Sequence, residues 1–265
     1  MIYYPKTYGT CAGANKAIET AYKLKSEKKN KNIYIYKEIL HNPYIINELE
    51  KDNIKCIDDL TTLTKDDILI IRAHGEPKET YDYLESNNIE YYDSTCANVL
   101  KVHNIAIEKK NEGYKIIIVG KKTHPEVIGT NGWINNEGII IESKEDYTTL
   151  NKEDKYFIVC QTTVSNKKLQ ELLNYMNENN INYEVQNTIC NAQKLIQTSS
   201  ITLAEQMDIM FVIGGKESSN TKELYNLCNE VTKTYYFSSL KEFYDFVKTK
   251  DYTLNTKIGF TGGAS

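Results

Sequence analysis

Residues Ile89–Val119 read IEYYDSTCANVLKVHNIAIEKKNEGYKIIIV. A short extended run, Ile89-Glu90-Tyr91-Tyr92, leads to Cys96; apolar residues at three and four spacing then predict a helix over Ala97–Asn111, and Lys115–Val119 is a second β-like run. The same order recurs on either side. Ile2-Tyr3-Tyr4 leads to Cys11, a helical pattern over Ala12–Lys25 and the run Asn32–Tyr36. Ile181-Asn182-Tyr183-Glu184-Val185 leads to Cys190, a helical pattern over Asn191–Gln206 and the run Asp208–Ile213. A polar loop follows each run: His41 lies 30 residues after Cys11, and His124 and Ser218 lie 28 residues after Cys96 and Cys190. A further run then leads to a second polar loop. Ile68–Ile71 precedes His74, Tyr156–Cys160 precedes Thr162, and Lys257–Phe260 precedes Ser265.

Strands alternating with helices predict an α/β chain of three similar small units with parallel sheets: residues 1–96 around Cys11, 97–190 around Cys96 and 191–265 around Cys190. Open parallel sheets hold their ligands at the carboxyl ends of the strands. All three cysteines and all six polar loops fall at strand-to-helix junctions. A pseudo-threefold arrangement would therefore aim them at one central site.

The composition narrows the function. Of 265 residues, 40% are hydrophobic and 26% charged, which excludes a disordered chain. Thirty-two basic against thirty-six acidic side chains give a net charge of −4, with no sign of the basic face that a nucleic-acid binder needs. No apolar run approaches the length of a membrane helix, and Met1–Gly9 has no signal-peptide core, so the expected address is cytoplasmic, with no membrane partner. Arg72 is the only arginine. Any phosphate site must then rely on His, Lys, Ser, Asn and backbone N–H groups rather than arginine forks.

Six cysteines in a reducing compartment point to metal binding or catalysis for those that matter. Cys56, Cys160 and Cys228 sit in apolar runs and read as core. Cys11, Cys96 and Cys190 each precede a helix, whose positive end favours the thiolate that soft metals require. Structural zinc wants four ligands at close spacing, which the chain lacks. Three widely separated cysteines suit an iron–sulfur cluster in which one iron has no protein ligand and is open to substrate.

The loops Arg72-Ala73-His74-Gly75, Thr123-His124-Pro125-Glu126, Gln161-Thr162-Thr163 and Gly214–Asn220 carry donors suited to an anion at helix N-termini. His41, His74 and His124 can add positive charge there, whereas His103, inside a helix, reads as structural. A carboxylate beside a diphosphate gains nothing as an anion, so Glu126 reads as a proton donor with a raised pKa; a carboxylate in a first helical turn also suits the helix dipole. Thr162 can position a substrate hydroxyl or relay the proton.

At these residues the sequence resembles the LytB-type iron–sulfur reductases, the 4-hydroxy-3-methylbut-2-enyl diphosphate reductases. The matching motifs run from Gly9 to Ser265. They are Gly9-Thr10-Cys11-Ala12-Gly13, His41-Asn42, Ala73-His74-Gly75, Thr95-Cys96 with Lys101-Val102-His103, His124-Pro125-Glu126-Val127-Ile128-Gly129, Gln161-Thr162-Thr163-Val164-Ser165, Ile189-Cys190, Gly214 through Thr221, and Gly263-Ala264-Ser265. The resemblance implies a [4Fe–4S] cluster on Cys11, Cys96 and Cys190. It implies a substrate surrounded by His41, His74, His124, Ser218, Ser219, Asn220 and Ser265, with Thr162 at its hydroxyl end and Glu126 delivering the proton. The implied reaction is reductive removal of an allylic hydroxyl, the terminal step of the methylerythritol phosphate route to isoprenoids. It yields isopentenyl and dimethylallyl diphosphates with electrons from a ferredoxin or flavodoxin.

The sequence departs from the family pattern at Thr10, where an aromatic is common, at Ala97 in place of proline, and at Gln193 and Ile196 after Cys190. None of these is an expected ligand. The family also continues past Gly-Ala-Ser with an acidic and aromatic tail, absent after Ser265, from which a truncated product or a weaker closure over substrate is expected. Two other readings share the three-cysteine pattern. A quinolinate-synthase-like dehydratase gives no reason for the Ser218-Ser219-Asn220 loop, and a non-enzymatic iron–sulfur redox sensor has no use for Glu126 or Thr162.

Overall fold

The computed structural model describes residues 1–9, 11–38, 43–215, 218–250, 253 and 255–263, leaving aside the side chains of residues 12, 14, 43, 44, 219 and 240. The first unit holds β1 (Ile2–Tyr3), α1 (Ala12–Glu27), β2 (Asn32–Tyr36), α2 (Pro43–Lys51), β3 (Ile54–Ile57), β4 (Asp67–Ile71), α3 (Lys78–Ser86) and β5 (Glu90–Asp93). The second holds α4 (Ala97–Asn111), β6 (Lys115–Val119), α5 (Pro125–Trp133), β7 (Ile139–Ile141), β8 (Lys155–Cys160), α6 (Asn166–Glu178) and β9 (Asn182–Val185). The third holds α7 (Asn191–Ala204), β10 (Ile209–Ile213), α8 (Ser219–Asn229), β11 (Thr234–Phe237), α9 (Leu240–Val247) and β12 (Ile258–Gly262).

These strands form three four-stranded sheets in the orders β3-β2-β4-β5, β7-β6-β8-β9 and β1-β12-β10-β11. Every strand pair is parallel. The α/β architecture of three similar units read from the sequence is therefore observed. Parallel sheets are covered on both faces, and the central strands show it. In the second sheet Ile116, Ile118, Phe157 and Val159 pack with Val102, Ile105 and Ala106 of α4 and with Val127 of α5. The alternate residues Ile117, Val119, Tyr156, Ile158 and Cys160 pack with Leu169, Leu172 and Met176 of α6. The third unit differs in kind: Phe211 makes ring contacts with Phe237, Phe243, Phe246 and Phe260, so one of its faces is aromatic.

One strand sits where the sequence order does not put it. Ile2–Tyr3 lies within the stretch expected to form the first unit, yet it pairs with Ile258–Gly259 in the third sheet. Counted from the strand that follows each cysteine-led helix, all three sheets then share one order: second, first, third, fourth. First and third strands lie side by side, and their outgoing connections leave in opposite directions. That is a topological switch point, where an open parallel sheet leaves a crevice for ligand. The six polar loops are the loops that follow these two strands in each sheet.

Candidate active site

Each expected ligand cysteine is the N-cap residue of its helix, with extended backbone: Cys11 on α1, Cys96 on α4 and Cys190 on α7. All three are free thiols and half-buried. The fourth strand of each sheet delivers them, and a backbone hydrogen bond ties each delivery segment to the end of the third strand or the loop after it. Cys96 N–H donates to Ala73 O at 2.9 Å, Cys190 N–H to Thr162 O at 2.7 Å, and Gly9 N–H to Gly262 O at 3.2 Å.

The cysteine segments also meet across units. A Cβ on Gly13 would lie 3.0 Å from both Cβ and Sγ of Cys96, so the first turn of α1 backs directly onto that thiol. Asn98, two residues after Cys96, donates from Nδ2 to Cys190 Sγ at 3.2 Å, and Ala192 N–H adds a second donor at 3.4 Å. Cys11 packs against the cores of both the first and the third sheet. Donors and helix N-termini around sulfur stabilise thiolate. Among the described residues no three His, Cys, Asp or Glu side chains are close enough to hold a single metal ion. The described residues therefore form no one-ion zinc site, whereas an all-sulfur donor set on three helix N-termini fits a larger multi-iron group.

His124 is the N-cap of α5, and its Nδ1 accepts from Glu126 N–H at 3.2 Å. An accepting Nδ1 places the ring proton on Nε2, which makes that nitrogen a donor. The His74 ring lies edge-on to His124 with centroids 5.7 Å apart, which joins the first unit's loop to the second's. Glu126 is only 6% exposed, and both its oxygens face Thr162. Thr162 N–H donates at 2.8 Å, and its hydroxyl lies 2.8 Å from each carboxyl oxygen. Burial pushes the Glu126 pKa above the ordinary carboxylate range, partly offset by the hydrogen bonds from Thr162. The sequence reading attributed such a shift to a neighbouring anion; in the folded chain burial is enough to produce it.

In the third unit Ser218 caps α8, its Oγ accepting from Thr221 N–H at 3.2 Å with the Thr221 hydroxyl 3.0 Å away. Thr221 is fully buried between two glycines: a Cβ would meet its Oγ1 at 2.5 Å from Gly214 and at 2.2 Å from Gly263. The two loops close on one threonine because neither has a side chain there.

A cleft of about 580 Å³ runs past Cys190, Thr162 and Asn220, with Gln193, Lys194 and Gln197 of α7 on its wall. One cavity thus joins a candidate ligand, the threonine of the buried carboxyl pair and the serine–asparagine loop. His41 and Ser265 lie outside the described residues, as does the side chain of Ser219. Cys160 and Cys228 are buried, and burial pushes their thiols up to about 12 and about 11 respectively, which makes them inert packing groups. Cys56 lies in β3, packed beside the core of the first sheet. His103 is 2% exposed with its pKa pushed down to about 4 by burial, a neutral ring in the core.

Sequence reading missed Asn98, and it named Gly13 and Thr221 only within matching motifs, without a role. Asn98 carries a local signal, an amide two residues past a helix-capping cysteine. Gly13 and Thr221 act across units or loops, and only the fold exposes them.

A model of the LytB protein family matches residues 2–265. The chain belongs to the LytB family. Among its relatives, the 4-hydroxy-3-methylbut-2-enyl diphosphate reductase of Caldanaerobacter subterraneus subsp. tengcongensis is 39% identical over 259 residues, covering 97% of this chain and 89% of that protein. The reductase of the same name from Helicobacter pylori strain P12 is 35% identical, covering 98% of this chain and 92% of that protein. A solved (E)-4-hydroxy-3-methyl-but-2-enyl diphosphate reductase, described as the terminal enzyme of the non-mevalonate pathway, superposes with a TM-score of 0.84 at 32% identity, covering all of this chain and 93% of that one. The E-1-hydroxy-2-methyl-but-2-enyl-4-diphosphate reductase of Plasmodium falciparum gives 0.82 at 29% identity, with 83% of that chain covered. No helix among the described residues is long and apolar enough to cross a membrane.

Proposed function

We propose that this LytB chain reduces 4-hydroxy-3-methylbut-2-enyl diphosphate to isopentenyl and dimethylallyl diphosphates. The reaction consumes two electrons and two protons and releases the allylic hydroxyl as water. Cys11, Cys96 and Cys190 would hold a [4Fe–4S] cluster, which when bound supplies the electrons and a Lewis-acidic iron. A small redox protein such as a ferredoxin or flavodoxin would recharge it, in a cytoplasm reducing enough to keep all six thiols free.

The observation that carries this reading is the buried Glu126–Thr162 pair, whose Thr162 lines the cleft that also holds Cys190 and Asn220. A carboxyl whose pKa burial raises is a better proton donor to a leaving oxygen, and its hydroxyl partner lines the cleft where it can orient that oxygen. His74 and His124 would take the diphosphate from one side, and the Ser218–Asn220 loop at the start of α8 from the other. Fixing the diphosphate fixes the carbon skeleton, so the allylic end is presented to Glu126 in one orientation. A sensor gains nothing from such a pair, and a dicarboxylate substrate leaves the helix-capping serine loop unexplained.

The test is anaerobic turnover with assayed iron and sulfide and a reduced dye as donor. Wild-type protein is expected to form both products, while Glu126→Gln keeps its iron and binds substrate but turns it over at least about 10²-fold more slowly. Iron-loaded wild-type protein that neither binds nor reduces the substrate would refute the reading.

A further inference from the structure

The only arginine and the only tryptophan of the chain meet at one residue, Glu76. Arg72 is 6% exposed and Glu76 2%. Arg72 Nε donates to Glu76 Oε1 at 3.0 Å, and its Nη1 donates to the backbone oxygen of Glu38 at 3.2 Å. Lys37 Nζ approaches Glu76 Oε2 at 3.4 Å. Trp133 Nε1 donates to the Glu76 backbone oxygen at 3.0 Å. Helix α5 is pressed onto the same spot through its glycines: a Cβ on Gly132 would lie 2.4 Å from Pro77 Cβ, and one on Gly129 would lie 3.6 Å from the Glu76 carbonyl.

The bonded partners show what this cluster holds. Lys37 and Glu38 follow β2 and lead into the segment that contains His41. Arg72 is two residues before His74. Trp133 ends the helix whose N-cap is His124 and whose first turn carries Glu126. Two loops of the first unit and the C-terminal end of α5 in the second thus converge on one glutamate.

We infer that Arg72, Glu76 and Trp133 are positioning residues that lock these three segments into one body, fixing the relative placement of the His74 and His124 rings that take the diphosphate from one side. The inference rests on the reductase reading above. The guanidinium suits the task because its planar fork reaches a side-chain carboxylate and a backbone carbonyl at once, which a lysine ammonium on a flexible stem does not do in fixed geometry. In a chain that meets every other need for a cation with lysine, the single guanidinium stands where two acceptors must be spanned under burial.

The experiment compares Trp133→Phe, Arg72→Lys and the double variant with wild-type enzyme, each reconstituted and assayed for iron. It reads KM and kcat for the substrate, and inhibition by inorganic diphosphate. Trp133→Phe keeps an aromatic ring against the core but removes the N–H together with part of the indole, so Tm is read beside the two constants. It is expected to raise KM and the inhibition constant of diphosphate together by roughly tenfold, with kcat within about twofold of wild type. Arg72→Lys raises both further. The double variant is no worse than Arg72→Lys alone, because both side chains act through Glu76.

Unchanged KM and diphosphate inhibition in Trp133→Phe, with only a lower Tm, would overturn the inference while leaving the reductase reading intact. So would strictly additive effects. Should Arg72→Lys fail to fold, Trp133→Phe alone decides the matter on the same two constants. Wild-type protein that does not turn over would overturn the inference and the reading together.

Discussion

The second and third sheets place loops at equivalent points and fill them with opposite chemistry. After β6 and β8 the second unit presents a half-buried His124 and the buried Glu126 and Thr162, held by hydrogen bonds. After β10 and β12 the third unit presents Gly214, Ser218 and Gly263, with Thr221 packed between the glycines. On the proposed function, one pair of loops would handle a proton and the other would bring neutral donors close to an anion. The shared strand order sets where a loop points; the residues in it set what it does.

That contrast can be broken from either side. The largest effect belongs to Glu126→Gln, which should cut kcat by about 10²–10⁴ while substrate binding, read by inhibition with inorganic diphosphate, stays near wild type. The pH dependence follows from the same group. Burial raises the Glu126 pKa, so the acid form persists above the ordinary carboxylate range. Activity is then lost as pH rises through that raised value. The stability this group contributes has the same sign, full below its unfolded pKa and lost as pH rises through the folded one. Thr162→Val removes hydrogen bonds that favour the ionised form, so the alkaline limb of the pH–rate profile should move to higher pH.

Next in size, Gly13→Val would drive a side chain into Cys96, and iron per chain should fall while the fold, followed by circular dichroism, survives. On the third-sheet side Gly214→Ala presses a methyl against Thr221, which is fully buried and has little room to yield. It should raise KM about tenfold and leave the pH profile unchanged. Ser218→Ala removes the helix cap and should cost about 1 kcal/mol in unfolding experiments, together with a weaker grip on diphosphate. A change in the pH profile from Gly214→Ala, or in diphosphate inhibition from Glu126→Gln, would mean that the two loop pairs do not divide the work.

Much of this architecture was legible before any coordinates. Strands Asn32–Tyr36 and Lys115–Val119 and helix Ala97–Asn111 begin and end where their apolar patterns do. Central strands and cysteine-led helices announce themselves because both faces, or one full stripe, must be apolar. β3, β7 and β11 are shorter runs beside those central strands, and their identity comes from the neighbour they pair with. At the candidate site the chemistry-bearing side chains could be named from residue type and spacing. Their supports could not: Asn98 reaches Cys190 across 92 residues and Trp133 reaches Glu76 across 57. Arg72 was conspicuous as the lone arginine, yet nothing local says that its partners are a carboxylate four residues on and a carbonyl thirty-four residues back.

The strand at Ile2–Tyr3 has a consequence for how the chain assembles. During synthesis it is made long before it can find its place, because β12, the strand it pairs with, starts at Ile258. The Met1 ammonium, which donates to Thr256 O, closes a loop of 255 residues. Contacts at such separation bear the largest loop-closure entropy in the molecule and form late. The first two sheets can each complete themselves as they emerge, whereas the third must wait for the opposite end of the chain. Because Cys11 follows that returning strand, the third thiol should reach the centre only when the ring of units shuts, so loading of a cluster would report completion of the fold.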